Sequence, residues 1–228
     1  MPHVNIFRWR PGNGWIVLGG GGSWLDPNVQ AVEAAMLTRT LSQGPLAYVW
    51  AASDLESADQ HMEALRDLGA RTGYLVDVVN EDEESVYQQL SEAGVIILGE
   101  GPRTRALREA LSGVALGGLE EAFFQGATVY AAGASAGLLG AALVEQGTLV
   151  DGVGWLSAAV ILPGYTPDQA ADLRAWVRGV PEGYGLGLGP GAGLALGPQG
   201  EVEVLGNGAV TVSLGQHFDP GLGLAGQG

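Results

Sequence analysis

Cysteine is absent from this 228-residue chain, which excludes disulfides, thiol nucleophiles and cysteine-based zinc sites. Lysine is absent too, so the ten basic residues are all Arg, set against 25 Asp and Glu for a net charge of −15. A field of that sign repels nucleic acid and anionic lipid, and neither is expected as a partner. No apolar run reaches membrane-spanning length. The opening Met1-Pro2-His3-Val4-Asn5 has neither the basic region nor the apolar core of a signal peptide, so a cytoplasmic protein is expected. Only three histidines occur, His3, His61 and His217, and no His/Asp/Glu pattern has ligand spacing, so neither a metal nor a cofactor is expected. Gly19-Gly20-Gly21-Gly22 is followed by no Lys and fits neither a P-loop nor a dinucleotide fingerprint. The acidic run 80–84 lacks the ligand spacing and turn glycine of a Ca²⁺ loop and reads as a helix N-terminus.

What is present suits one α/β domain over 1–218, followed by a loose tail at 219–228. The 46% hydrophobic content supports one core, and the 39 glycines mostly punctuate apolar segments. Strands are expected at 15–18, 46–51, 74–79 and 95–98, alternating with amphipathic helices. The first helix opens with Asp26 as N-cap and Pro27 at its first position, and puts Val29, Val32 and Met36 on one face. Capping boxes are read at Ser53 with Glu56 and at Asn80 with Glu83. The stripe after Ser53 runs through Leu55, Ala58, Met62, Leu65 and Leu68, which leaves His61 as a surface residue. A strand at 158–162 and a helix from Thr166-Pro167-Asp168-Gln169, with Leu173 and Trp176 inward, come later. Beyond Gly183, short strands at 186–188, 193–196, 201–205 and 209–213 are separated by Gly-rich turns. The fold expected is therefore three-layer α/β: a mainly parallel central sheet flanked by helices, with an antiparallel C-terminal ribbon.

Chemistry is concentrated at Gly133-Ala134-Ser135-Ala136-Gly137, a G-x-S-x-G between the apolar run 127–132 and a helix-forming stretch. That setting is a nucleophile elbow, whose tight turn would lift Ser135 Oγ clear of the sheet.

Ile16-Val17-Leu18-Gly19-Gly20-Gly21-Gly22, the 95–98 strand running into Gly99-Glu100-Gly101, the 133–137 elbow and the terminal Gly-rich hairpins, in this order, resemble the S51 serine peptidases. That family includes aspartyl dipeptidases and cyanophycinases, on a fold related to class I glutamine amidotransferases. The resemblance spans about residues 15 to 213. It implies Ser135 as nucleophile and an oxyanion hole from the backbone N–H groups of Ala136 and of the 99–101 loop at Gly101. It further implies a small acidic peptide as substrate, and a homodimer is a possible assembly.

The sequence departs from the family where the chemistry is most demanding. The family histidine follows the strand after the elbow, where this chain reads Ile161-Leu162-Pro163-Gly164-Tyr165, with glycine at the histidine position. The oxyanion loop continues into Pro102, which has no N–H, and a Glu100 carboxylate pointing inward would oppose a developing oxyanion. Loss of a triad histidine lowers turnover by a factor on the order of 10⁶. Three readings remain: a peptidase homologue that keeps Ser135 without activity, a non-catalytic binding protein on the same fold, and a hydrolase with a substitute base. Candidates for that base are Tyr165, Glu100, Glu145 and Asp151. His217, in Gln216-His217-Phe218-Asp219, lies after the last strand and reads as a tail residue.

Overall fold

The computed structural model describes residues 6–40, 42–180 and 182–218. The expected tail 219–228 and His3 lie outside the described residues. The chain up to Ala131 alternates strand and helix: β1 (Ile16–Gly19), α1 (Pro27–Thr38), β2 (Leu46–Val49), α2 (Leu55–Asp67), β3 (Gly73–Val76), α3 (Glu83–Ser91), β4 (Val95–Leu98), α4 (Thr104–Ala110), α5 (Gly113–Phe124) and β5 (Thr128–Ala131). The remainder is mostly strand: β6 (Gly140–Glu145), β7 (Thr148–Asp151), β8 (Leu156–Pro163), α6 (Ala170–Val177), β9 (Tyr184–Leu188), β10 (Ala192–Leu196), β11 (Val202–Gly206) and β12 (Val210–Leu214).

Among the described residues these strands form a seven-stranded sheet in the order β11-β10-β1-β5-β4-β2-β3 and a five-stranded sheet in the order β12-β9-β8-β6-β7. In the larger sheet β1, β5, β4, β2 and β3 run parallel, and β10 and β11 close one edge antiparallel. The parallel strands are short, nearly continuous apolar runs because both faces are covered. Val17, Tyr48, Ile97 and Tyr130 face a core shared with Val32 and Met36 of α1 and Ala58, Met62 and Leu65 of α2. Their neighbours Ile16, Leu18, Val49, Ile96, Leu98 and Val129 face the other core, with Leu90 of α3, Leu119 and Phe123 of α5, and the second sheet. The two-residue period of the strands thus divides one apolar run between two cores.

Asp26 caps α1 and Pro27 opens it, as the sequence indicates. The other two caps are displaced from the expected boxes. Asp54 caps α2 by accepting from Ser57 N at 2.8 Å, and Asp82 caps α3 by accepting from Ser85 N at 2.9 Å. A carboxylate adds favourable charge at a helix N-terminus to the hydrogen bond that any cap supplies, so Asp wins over neighbouring Ser53 and Asn80. Leu55 is exposed as a result, at the first position of α2. Leu173 of α6 is buried and Trp176 half-buried, with α6 preceded by the short 3₁₀ turn Pro167–Gln169.

Two differences follow the elbow. The helix expected there is only a 3₁₀ turn, Gly133–Leu139, after which the chain enters β6; glycines at 133, 137 and 140 weaken any longer helix. The C-terminal ribbon forms but is divided, β10–β11 lining the larger sheet and β9–β12 the smaller. No helix among the described residues is long and apolar enough to cross a membrane.

Candidate active site

The carboxyl ends of β1, β4 and β5 come together at one edge of the larger sheet, where open α/β folds place their ligand crevices. A cleft of about 790 Å³ opens there, lined by Gly20, Gly21 and Gly22 after β1, Glu100 after β4, Ala134 and Gly137 after β5, and Pro163 and Gly164 after β8. Both sheets contribute walls.

The elbow itself is turned differently from the sequence expectation. Among residues 128–139 the only positive φ is at Gly133, at 49°, so the apex of the strand-to-helix turn is Gly133 and Ser135 lies two residues beyond it. Ser135 is fully buried. Its backbone N–H closes a turn to Ala132 O, and its Oγ donates to Gly99 O at 2.6 Å. The expectation that the turn lifts this hydroxyl clear of the sheet is therefore corrected: the hydroxyl ties the elbow to the 99–101 loop from inside. Ala136 is also fully buried. Gly101 packs so closely on the Ala52 and Ser53 backbone that a Cβ would collide with it, and it lines a second, inner cavity instead of the cleft.

Glu100 occupies the place of interest. A Cβ built on Gly133 would overlap the Glu100 carboxyl group, so that group lies directly over the elbow apex. The residue keeps an exposed flank, while its carboxyl end is held inside. Burial pushes this carboxyl above the usual carboxylate range, against the pull of the Gly22 backbone N–H, His61 and the Ala134 backbone N–H. The backbone N–H of Ala134, the amide following the apex, is thus turned toward the same carboxyl group.

The other candidates stand apart. Gly164 lines the cleft at φ 67°, with open space where a side chain would begin, and its N–H donates to Gly20 O at 2.8 Å. Tyr165 is buried with its ring against Gly187. Glu145 is paired with Arg108 at 3.0 Å on the cleft wall, and Asp151 is exposed at the end of β7. His217 is exposed and lines neither cavity.

His61 is not the surface residue that the sequence suggested. It is buried, its Nε2 is 2.8 Å from Glu33 Oε1, and its Nδ1 is 2.9 Å from Tyr48 Oη. A carboxylate only accepts, so Nε2 donates to Glu33, and Nδ1 is engaged by the Tyr48 hydroxyl. Trp24 stacks on the imidazole with ring centroids 5.3 Å apart. These residues, with Tyr130 and Glu100, line the inner cavity of about 270 Å³, which meets the cleft at Gly21, Gly22, Glu100 and Pro102. Burial, then the charges of Glu33 and Glu100, push both Tyr48 and Tyr130 well above the ordinary phenol value, so both remain protonated. Helical spacing could have revealed the pair: Glu33 falls four after Val29 and three before Met36, and His61 three after Ala58 and four before Leu65. Among the described residues no group of three or more His, Asp and Glu side chains is arranged to hold a metal ion.

No protein-family model and no curated protein matches the sequence. Solved structures do resemble it. A crystal structure of a peptidase from an acI-B1 actinobacterium aligns with a TM-score of 0.71 at 17% identity, covering 89% of this chain and 92% of that one. A crystal structure of a putative peptidase E protein from Listeria monocytogenes EGD-e aligns at 0.56 and 13% identity, covering 85% and 98%. At such identities the likeness is one of fold, and the fold of this chain is of the peptidase E type.

Proposed function

We propose that this protein is a non-catalytic, ligand-binding relative of the S51 serine peptidases. The observation that carries the reading is the Glu100 carboxyl group lying over a glycine apex, against the amide that would serve as an oxyanion donor. In an elbow of this kind the apex residue presents the nucleophile and the next N–H stabilises the oxyanion. Here the apex has no side chain, and a carboxylate there opposes an oxyanion instead of stabilising it. The serine hydroxyl is spent on Gly99 O, and Gly164 offers no base. The cleft that remains is large enough for a small peptide. Arg105, the more exposed of its two arginines, pairs with Glu109 at 2.8 Å in solvent, and an acidic group on such a ligand would compete for it.

Incubation of the purified chain with a fluorophosphonate probe tests the reading, because labelling requires an activated serine. No labelling and no hydrolysis of aspartyl dipeptides is expected, alongside calorimetrically detectable binding of the intact dipeptide. Labelling at Ser135 would establish a working hydrolase.

A further inference from the structure

The inner cavity between α1, α2 and the carboxyl ends of β2 and β5 has a chemistry unlike that of the cleft. Its charged wall residues are Glu33, Asp54 and Glu100, joined by His61; no Arg lines it, and the chain has no Lys. Asp54 is committed to capping α2 through Ser57. His61 has both ring nitrogens engaged, by Glu33 and Tyr48, and so offers a ligand no donor. What stays open is an acceptor. Glu33 is fully buried, and its Oε2 has no hydrogen-bond partner. A buried carboxylate oxygen without a donor is costly, and the natural remedy is a cationic donor brought by a ligand. The same cavity is lined by Trp24, Tyr48 and Tyr130, aromatic rings of the kind that favour a cation, and by Val29 and Ala132, which suit an alkyl stem.

We infer that this cavity is a binding site for a primary ammonium group on a short apolar stem, held by Glu33 from inside and Glu100 from the mouth. A primary ammonium is favoured over a quaternary one because an unpartnered oxygen calls for an N–H donor. Because the cavity meets the cleft at Glu100, a peptide in the cleft could place an amine there. The inference stands independently of whether the cleft hydrolyses anything: serine labelling reports on the elbow, and amine binding on Glu33.

The test is calorimetric titration of the full chain with n-butylammonium chloride, against n-butanol and tetramethylammonium as shape and charge controls. Butylammonium should bind with a Kd roughly ten-fold or more below that of either control, since a charge-assisted hydrogen bond separates them. Glu33→Gln, close in shape, should weaken butylammonium by roughly ten-fold or more and leave butanol unchanged. Glu100→Gln, at the mouth, gives an independent reading if the buried substitution disturbs folding, and should weaken the same ligand. Glu84→Gln on the exposed face of α3 lowers net charge equally and should leave binding unchanged. Equal binding of butylammonium and butanol would overturn the site, as would no binding of butylammonium to folded wild type. Unchanged butylammonium affinity in a folded Glu33→Gln variant, or in Glu100→Gln, would overturn it too.

Discussion

Replacing Ser135 by Ala separates a nucleophile from a structural strut, because the two roles predict opposite results. The hydroxyl is fully buried and donates to Gly99 O at 2.6 Å. Its removal takes that donor from a carbonyl buried at the end of β4, and losing one partner of a buried hydrogen bond costs about 1–3 kcal/mol. For a chain of this length about 2 kcal/mol lowers Tm by about 4–8 °C. Differential scanning calorimetry with urea denaturation at neutral pH should show both the lower Tm and a lower midpoint at unchanged slope. Dipeptide turnover and fluorophosphonate labelling should be at background in both proteins, since no base activates the serine. An unchanged Tm together with lost turnover would refute the reasoning and make Ser135 the nucleophile.

Three further outcomes are expected. Glu100→Gln should gain stability relative to wild type as pH rises: the raised folded-state pKa means the folded protein binds the proton more tightly, so Glu100 disfavours folding once pH passes from the usual carboxylate range through the raised value, and urea midpoints of the two proteins should diverge over that window and run parallel above it. A constant difference would refute it. Gly133→Ser should destabilise by about 1–2 kcal/mol from its left-handed backbone alone, with more from contact with Glu100; adding Glu100→Ala should recover about 1 kcal/mol or more in a double-mutant cycle, and simple additivity would show that the two do not touch. His61→Ala strips partners from Glu33 and Tyr48 in the core and should cost about 3–5 kcal/mol by chemical denaturation; a loss below about 1 kcal/mol would mean that the buried network contributes little.

The elements most legible in the sequence were those whose signal is local. Asp26-Pro27 fixed the start of α1, and the apolar run 95–98 is β4 residue for residue. What escaped depended on distant partners. A G-x-S-x-G pattern specifies a tight turn but not which of its residues takes the positive φ; here Gly133 takes it, beneath a Glu100 carboxyl group 33 residues earlier in the chain. The short strands after Gly183 were recognisable by their turns, yet nothing in their spacing tells which sheet each joins. His61 falls on the apolar stripe of α2 and was read as a surface residue because polarity outranked period, and Glu33, on the matching stripe of α1, carries no motif that singles it out.

The C-terminal strands also limit how the cleft can open. The chain leaves the smaller sheet after β9, makes β10 and β11 in the larger one, and returns to the smaller as β12, beside β9. Gly189 N to Ala209 O and Gly191 N to Gly21 O fasten the crossings. The sheets are therefore stitched together by the same thread, and one cannot swing from the other without unpicking a hairpin at the mouth of the cleft. A ligand meets walls of fixed separation, so selection falls to what moves within them: the arginine at the rim and the carboxylate at the threshold between the two chambers.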